Sequence, residues 1–219
     1  MAVQKKVLSE NDRLAHRLRA RFAEHGVLTL NLVSSPGSGK TSLLEATLRA
    51  LQPELSLGLV AGDVQTDNDA RRLLAAGGTV VHPITTGGAC HLDANMVSEA
   101  IGDFKLESLD VLFIENVGNL VCPSSWDLGE DIKVAVISCT EGDDKPLKYP
   151  AMFRRSSALV INKTDLLGLS DFSVERVKEN ALSINGELTI LELSCRTGEG
   201  LEGWFDWLRD EVRRKRSQT

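Results

Sequence analysis

Strand-length apolar runs recur along this chain of 219 residues, and many of them are apolar on both alternations, as in VLFIEN and VAVIS. Such a run is typical of a strand buried on both faces, which belongs to a parallel sheet covered by helices. The chain contains seven strand-length apolar runs, which are separated mostly by segments with helical periodicity. The sequence therefore predicts an α/β fold with a doubly wound, mostly parallel seven-stranded sheet flanked by helices.

The predicted boundaries follow the apolar patterns. Strands are predicted at 27–33, 57–61, 79–82, 111–114, 134–138, 159–162 and 189–193, and helices at 41–50, 67–75, 91–101, 174–183 and 201–215. An N-terminal helix is predicted to begin near Ser9 and to end at Gly26. The length suits one core, so residues 1–26 are predicted to be a helical extension packed on a single domain at 27–215.

Composition narrows the classes of function. The formal net charge is −6, which argues against a nucleic-acid partner because such a partner requires a basic face. The sequence shows neither a signal peptide nor a run long enough for a membrane span, so a cytoplasmic protein is expected. In that compartment its four cysteines are not expected to form a disulfide framework.

The clearest motif follows the first predicted strand, where residues 34–42 read SSPGSGKTS. The stretch matches the phosphate-loop pattern G-x-x-x-x-G-K-[ST], except that Ser34 replaces the first glycine. Backbone N–H groups, the lysine charge and the following helix N-terminus bind phosphates, and the threonine hydroxyl is placed to bind Mg²⁺. A plain glycine-rich turn is the alternative. The predicted nucleotide contacts are Pro36, Gly37, Ser38, Gly39, Lys40, Thr41 and Ser42.

A second motif, NKTD at 162–165, directly follows a predicted buried strand and resembles the base-reading motif of GTPases. A carboxylate at Asp165 can accept hydrogen bonds from guanine N1–H and the exocyclic amine, a pair that adenine does not offer. A helix cap at Thr164 or Asp165 is the alternative. SCRTGEG at 194–200 resembles the second base-side loop. The expected base contacts are Asn162, Lys163, Asp165, Ser194, Cys195 and Arg196.

Two acidic residues that follow strands are candidate Mg²⁺ ligands. Asp63 begins the loop after the second strand, and Glu115 ends the fourth. Together with Thr41 they form the predicted Mg²⁺ site, and with Lys40 the predicted catalytic set. Gly118 is expected to contact the γ-phosphate through its N–H. A salt bridge at the strand end is the alternative role for Glu115.

A cysteine–histidine pair and a distant cysteine form a candidate metal site. Cys90 and His91 follow the third strand, and Cys122 lies in the loop after the fourth, so both loops leave the edge of the sheet that carries the phosphate loop. Two thiolates and one imidazole suit Ni²⁺ or Zn²⁺. Burial as small hydrophobic residues is the alternative, and it is the prediction for Cys139 and Cys195.

Together these motifs resemble one family. SSPGSGKT, GDVQTDND, CHLDA, FIENVGNLVCP, EGDDKPLKYP and NKTD occur in the order seen in the hydrogenase nickel-incorporation GTPases of the HypB family, in the SIMIBI class. The resemblance runs from about residue 9 to residue 207. The combination of CHLDA with ENVGNLVCP is its most specific part.

The resemblance implies a GTP-hydrolysing metallochaperone that binds Ni²⁺ or Zn²⁺ and assists nickel insertion during nickel–iron hydrogenase maturation. It implies a GTP-dependent homodimer with Cys90, His91 and Cys122 at or near the interface. The implied partners are a HypA-like nickel accessory protein and the hydrogenase large-subunit maturation machinery. Lys148 matches a lysine that reaches the nucleotide across the dimer, although Lys145 lies three residues away. The start, MAVQKKVLSEND, lacks the Cys-rich or His-rich stretch of some members.

Other functions remain open at this stage. No arginine finger or water-orienting glutamine is evident, so slow intrinsic turnover is expected, with Arg71 and Arg72 as candidates only through their nearness to TDND. A related nickel accessory GTPase, or a metal-delivery protein with minimal GTPase turnover, is one alternative. A small-molecule kinase is another, in which NKTD would be accidental.

Overall fold

The computed structural model describes residues 2–218, with side chains from residue 6 onward. The seven strands are β1 (Leu28–Ser34), β2 (Leu57–Asp63), β3 (Val80–Thr85), β4 (Val111–Glu115), β5 (Ile132–Ser138), β6 (Ala158–Asn162) and β7 (Thr189–Glu192). They form one sheet in the order β3-β2-β4-β1-β5-β6-β7, and all neighbours are parallel. The predicted fold class is confirmed.

Burial explains why the strands read as apolar on both alternations. Strands β1, β4, β5 and β6 are buried at every residue, because helices cover both faces of the sheet. The edge strands β3 and β7 are only partly buried. The carboxyl ends of β1, β2 and β4 lie side by side, and ligands of such sheets bind at this edge.

Eight α-helices surround the sheet in the part of the chain that the structure describes. They are α1 (Ala2–Glu24), α2 (Lys40–Leu51), α3 (Asn68–Ala75), α4 (Ala94–Ala100), α5 (Lys145–Lys148), α6 (Pro150–Arg155), α7 (Val174–Ile184) and α8 (Leu201–Ser217). Helices α2, α3 and α8 pack on one face of the sheet, and α1, α4, α6 and α7 pack on the other. None of the described helices is long and apolar enough to cross a membrane.

Helix α1 shares its core with the sheet. Ala15, Leu18 and Phe22 are buried in one cluster with Val97 of α4 and Leu128. Asn11 adds polar contacts, since its amide donates to the Asp127 carbonyl at 2.9 Å and its Oδ1 accepts the Ala94 N–H at 2.9 Å. The division into 1–26 and 27–215 stays a prediction.

Two predicted helix boundaries were wrong. Helix α1 begins at Ala2 rather than near Ser9, whose hydroxyl donates to the Lys6 carbonyl inside the helix. Helix α4 begins at Ala94 rather than at 91, because the Asp93 carboxylate caps it by accepting the Met96 N–H at 2.8 Å. Cys90 and His91 therefore lie in an irregular loop. The short helices α5 and α6 were not predicted.

Candidate functional site

The phosphate-loop stretch bends between β1 and α2 around a cavity of about 500 Å³. Gly37 and Gly39 take φ values of 75° and 100°, which glycine adopts without strain. Ser34 needs no such conformation, because it is the last residue of β1. Its hydroxyl accepts a hydrogen bond from Lys40 Nζ at 2.8 Å. The serine therefore fits a position where the motif has glycine.

Thr41 and Glu115 meet at the wall of this cavity. The Thr41 hydroxyl donates to Glu115 Oε1 at 2.6 Å, while the buried Oε2 has no hydrogen-bond partner. Burial raises the pKa of Glu115 to about 7, although the Lys40 charge and the Thr41 hydroxyl favour the carboxylate. Burial also lowers the pKa of Lys40. A buried carboxylate oxygen without a partner, beside a hydroxyl, fits a hard cation such as Mg²⁺.

Asp63 lines the same cavity but also organises its own loop. Its Oδ1 accepts the backbone N–H groups of Gln65 at 2.9 Å and Thr66 at 2.8 Å. Burial acts to raise the pKa of Asp63, but these hydrogen bonds outweigh it and the pKa is lowered. Because Oδ1 is engaged in the turn, a contact of Asp63 with Mg²⁺ or its water would use Oδ2.

The two arginines that follow Asp63 separate in the structure. Arg72 lines the cavity, and its guanidinium donates to Ser42 at 3.2 Å and to Glu45 at 3.0 Å. Arg71 pairs with Asp67 at the surface. Only Arg72 is therefore positioned near the phosphate loop within one chain.

The residues predicted to contact the base are hydrogen-bonded to the phosphate loop and to each other. Asn162 Nδ2 donates to the Ser38 carbonyl at 2.9 Å, and Asn162 Oδ1 accepts the Cys195 N–H at 3.2 Å. A side chain at Gly39 would collide with Asn162, because its Cβ would lie 2.3 Å from Nδ2. The structure thus brings the 34–42, 162–165 and 194–196 loops together.

Lys163 and Asp165 complete this arrangement. Lys163 is the one described non-glycine residue with positive φ, at 64°, and its Nζ donates to the Gly37 carbonyl at 2.7 Å. The Ser194 hydroxyl donates to Asp165 Oδ1 at 2.6 Å, which orients the carboxylate. Arg196 follows in the same loop, where its N–H donates to Ser194 Oγ at 3.3 Å. Cys139 is buried, as predicted, whereas Cys195 is only half-buried.

The two lysines of the 141–150 stretch differ in position. Lys145 Nζ donates to Ser35 Oγ at 2.9 Å and pairs with Glu141 at 2.9 Å, so it contacts the phosphate loop. Lys148 is exposed and pairs with Asp144 at 2.7 Å. A contact between Lys148 and a nucleotide in a second chain stays a prediction.

Cys90, His91 and Cys122 come together beside the same edge of the sheet. One ligand atom from each lies within 4.8 Å of the others, and the two Sγ atoms are 3.1 Å apart. Among the described residues this is the one group of three or more Cys, His, Asp or Glu side chains with such spacing. The His91 ring stacks on Trp126 with 4.4 Å between ring centroids. Two thiols and an imidazole at this spacing fit a borderline-soft cation.

Gly118 brings the phosphate loop against the segment that leads to Cys122. A Cβ at Gly118 would lie 2.9 Å from Pro36 Cα and 3.0 Å from Pro36 N. The two backbones therefore pack at a distance that only glycine permits. Asn116, which sequence reasoning missed, lies at the end of β4, where its Oδ1 accepts the N–H of Leu92 at 3.1 Å. The available signal was a second polar residue directly after Glu115, at the end of a strand predicted to be buried.

Comparison of the sequence with known protein families identifies a nucleotide-binding domain, in agreement with the phosphate loop described above. Residues 28–192 match the model of the CobW/HypB/UreG nucleotide-binding domain. The chain therefore belongs to the CobW/HypB/UreG family of P-loop nucleotide-binding proteins.

The relatives narrow the family to HypB. The chain is 50% identical over 211 residues to the hydrogenase maturation factor HypB of Escherichia coli strain K12, covering 96% of this chain and 72% of that protein. The crystal structure of HypB from Helicobacter pylori in complex with nickel has a TM-score of 0.88 at 42% identity, with 94% of this chain and 96% of that chain covered. HypB from Archaeoglobus fulgidus has a TM-score of 0.86 at 40% identity, with 93% and 99% covered. The predicted family resemblance is confirmed.

Proposed function

We propose that this protein is a GTP-hydrolysing metallochaperone that binds Ni²⁺ or Zn²⁺ and assists nickel insertion during hydrogenase maturation. The observation that carries the proposal is the Cys90–His91–Cys122 cluster, joined through Gly118 to a phosphate loop. The relatives named as hydrogenase maturation factors, and the HypB structure in complex with nickel, support it. A GTP-dependent homodimer, a HypA-like accessory protein and the hydrogenase large-subunit machinery as partners, and a cytoplasmic location belong to the same proposal.

The proposed hydrolysis is an in-line attack of water on the γ-phosphate. The 36–42 loop holds the phosphates with backbone N–H groups and the N-terminus of α2. Lys40, buried and next to Glu115, neutralises the charge that develops on the phosphate oxygens. Thr41, Glu115 and Asp63 would hold Mg²⁺, which when bound supplies further positive charge to the β- and γ-phosphates.

We further propose that the nucleotide state controls metal affinity through Gly118. A γ-phosphate held by the Gly118 N–H would shift a backbone that already packs on Pro36. Cys122 lies four residues further along the same segment. A movement at Gly118 would therefore change the distance between the Cys90 and Cys122 thiolates. The segment between Gly118 and Cys122, with one arrangement for each nucleotide state, is the two-state element that coupling requires.

Metal affinity measured in two nucleotide states tests this coupling. We expect the Ni²⁺ affinities of the GDP and non-hydrolysable GTP-analogue forms to differ by at least about five-fold, the lower end of typical coupling between sites. Isothermal titration of each form with Ni²⁺ gives the two values. Equal affinities would refute the coupling while leaving the metal site itself in place.

Replacing Gly118 by Ala should weaken the coupling between nucleotide state and Ni²⁺ affinity. The added Cβ meets the Pro36 backbone at 2.9 Å, so one of the two loops must move. We expect the affinity ratio between the two nucleotide forms to fall below about two-fold, well under the usual range. Gly203→Ala in α8 is the matched control, since a Cβ there meets no atom within 4 Å. A Gly118→Ala protein with the wild-type ratio would contradict the proposed route.

The choice of guanine is tested by Asp165→Asn. The amide retains one acceptor but replaces the second with a donor, which suits the 2-oxo group of xanthine and opposes the guanine amine. We expect GTP affinity to fall by about 100-fold or more, because each hydrogen bond to a charged group contributes about 1.5–3 kcal/mol. Xanthosine triphosphate should gain affinity.

Competition binding with GTP, ATP and xanthosine triphosphate gives these affinities. The exposed Asp171→Asn is the control, since Asp171 lies in the loop beyond the base-side motif. Preferential binding of ATP by the wild type would instead favour the small-molecule kinase. GTP binding with turnover at the background rate, together with normal metal binding, would favour a delivery protein with minimal GTPase activity.

A further inference from the structure

A line of four buried polar side chains runs beneath the cysteine–histidine cluster. They are Asn116, Asn31, Glu130 and Lys133, and each is at most 8% exposed. We call this set the buried polar chain. It extends from the carboxyl end of β4 through the middle of β1 to the start of β5.

Each member of the buried polar chain contacts the next. Asn116 Nδ2 donates to Asn31 Oδ1 at 3.2 Å, and Asn31 Nδ2 donates to Glu130 Oε1 at 3.1 Å. Lys133 Nζ forms an ion pair with the same Glu130 oxygen at 3.2 Å. Glu130 Oε2 accepts the Leu128 N–H at 2.7 Å, so this carboxylate is satisfied on both oxygens.

The two ends of the buried polar chain contact the two segments that carry the cysteine–histidine cluster. At one end, Asn116 Oδ1 accepts the N–H of Leu92, the residue after His91, at 3.1 Å. At the other end, Lys133 Nζ donates to the carbonyls of Pro123 at 3.0 Å and Trp126 at 3.2 Å.

The Lys133 end fixes two features of the cluster at once. Pro123 directly follows Cys122 in the 3₁₀ turn Cys122–Ser125, so the Pro123 contact places the thiol. Trp126 stacks on the His91 ring, so the second contact places the imidazole. Arg155 also donates to the Ser124 carbonyl, which adds a second cation to the same turn.

Burying such a set is not needed for stability. Buried ion pairs give up hydration, and apolar side chains of similar volume in their place are often neutral or stabilising. Leu30 and Leu32 directly flank Asn31 in β1, and Val134 directly follows Lys133 in β5; all three are apolar and fully buried. A lysine and a glutamate in this core therefore need an explanation other than packing.

We propose that the buried polar chain positions Cys90, His91 and Cys122 for metal binding, with Lys133 and Asn116 as the positioning residues at its two ends. The inference rests on the proposed metal function of the cluster. Groups that orient metal ligands from outside the first coordination sphere typically change metal affinity 10- to 100-fold when removed. In this protein Lys133 and Asn116 would act through backbone groups of the loops that carry the ligands, so their removal would change the geometry of the metal site.

Three variants test the proposal with Co²⁺ as the probe, since thiolate and imidazole ligation gives it characteristic visible absorption. Lys133→Met removes the donors. Lys133→Met with Glu130→Gln removes both charges, so that no unpaired buried carboxylate is left to cause unfolding. Asn31→Val removes the hydrogen bonds in the middle of the buried polar chain and changes no residue that contacts either ligand loop.

We expect each folded variant to bind Co²⁺ about 10- to 100-fold more weakly than wild type. The thiolate-to-cobalt bands should also shift, whereas affinity for a GTP analogue should change by less than about two-fold. Thr47→Val is the matched control, because it removes a buried hydrogen bond to Trp204 on the other face of the sheet. Its loss of stability should leave Co²⁺ binding unchanged.

Folded variants with wild-type Co²⁺ affinity and spectrum would overturn the proposal. So would an equal loss of affinity in Thr47→Val, since that would make the effect one of general stability. Failure of the wild type itself to bind Co²⁺ would instead refute the proposed metal function and this inference with it. The wild-type titration therefore separates the two failures.

Discussion

Lys40→Ala is expected to lower GTP hydrolysis by more than about 100-fold, in line with the loss of one preorganised charge or donor from a buried catalytic site. Lys40 is 8% exposed and lies beside Glu115 in the phosphate cavity. The described lysines and arginines of the cavity lining are Lys40, Lys163 and Arg72. Lys163 is tied to the Gly37 carbonyl and Arg72 to Glu45, so neither replaces the missing charge.

GDP formation in acid-quenched samples under single-turnover conditions measures this loss, and it separates the chemical step from product release. Lys105→Ala is the control, since Lys105 is exposed before β4, at the opposite edge of the sheet. Circular dichroism verifies that Lys40→Ala is folded. Retained turnover in a folded Lys40→Ala protein would overturn the assignment of the phosphate loop.

Cys122→Ala is expected to weaken Ni²⁺ binding by more than about 100-fold, because even the loss of a ligand's outer partner commonly costs 10- to 100-fold. Cys122 supplies one of three ligand atoms, and its Sγ lies 3.1 Å from that of Cys90. Without it the cluster retains one thiolate and one imidazole, a set that binds Ni²⁺ or Zn²⁺ much less tightly.

Native mass spectrometry of protein loaded with Ni²⁺ and a GTP analogue gives metal stoichiometry and oligomeric mass together. Cys195→Ala is the matched control, since its half-buried thiol lies outside the cluster. Unchanged stoichiometry in Cys122→Ala would remove the metal assignment. A wild type that stays monomeric with the analogue would remove the proposed GTP-dependent dimer.

The fold was largely predictable because its strands are buried on both faces. Runs such as 111–114 and 134–138 carry this pattern directly, and their observed strands differ by at most two residues at either end. The N-terminal boundary failed because Ser9, a good capping residue, lies inside α1, where its hydroxyl bonds back to Lys6. The preference of serine for helix N-caps therefore predicted a start near Ser9, although α1 continues through that residue.

The candidate metal and nucleotide ligands could be predicted from the order of the motifs along the sequence. The long-range polar contacts that support these residues could not. Nothing in the spacing of Asn31 and Lys133 indicates that both lie beneath Cys90, His91 and Cys122, because their contacts depend on strand order and register. The same holds for Lys145, which reaches Ser35 across 110 residues. Motifs name residue types, whereas these long-range polar contacts arise only when the sheet is assembled.

The anchoring of α1 has a consequence for how the protein is made. Asn11 bonds to Ala94 and Asp127, which are 83 and 116 residues further along the chain. During translation α1 is thus synthesised long before the groups that hold it, and its apolar side stays uncovered in the nascent chain. The 3₁₀ turn that carries Cys122 likewise lacks its contacts with Lys133 until Lys133 has left the ribosome. Capture of metal in the proposed site would therefore begin only after more than half of the polypeptide has been synthesised.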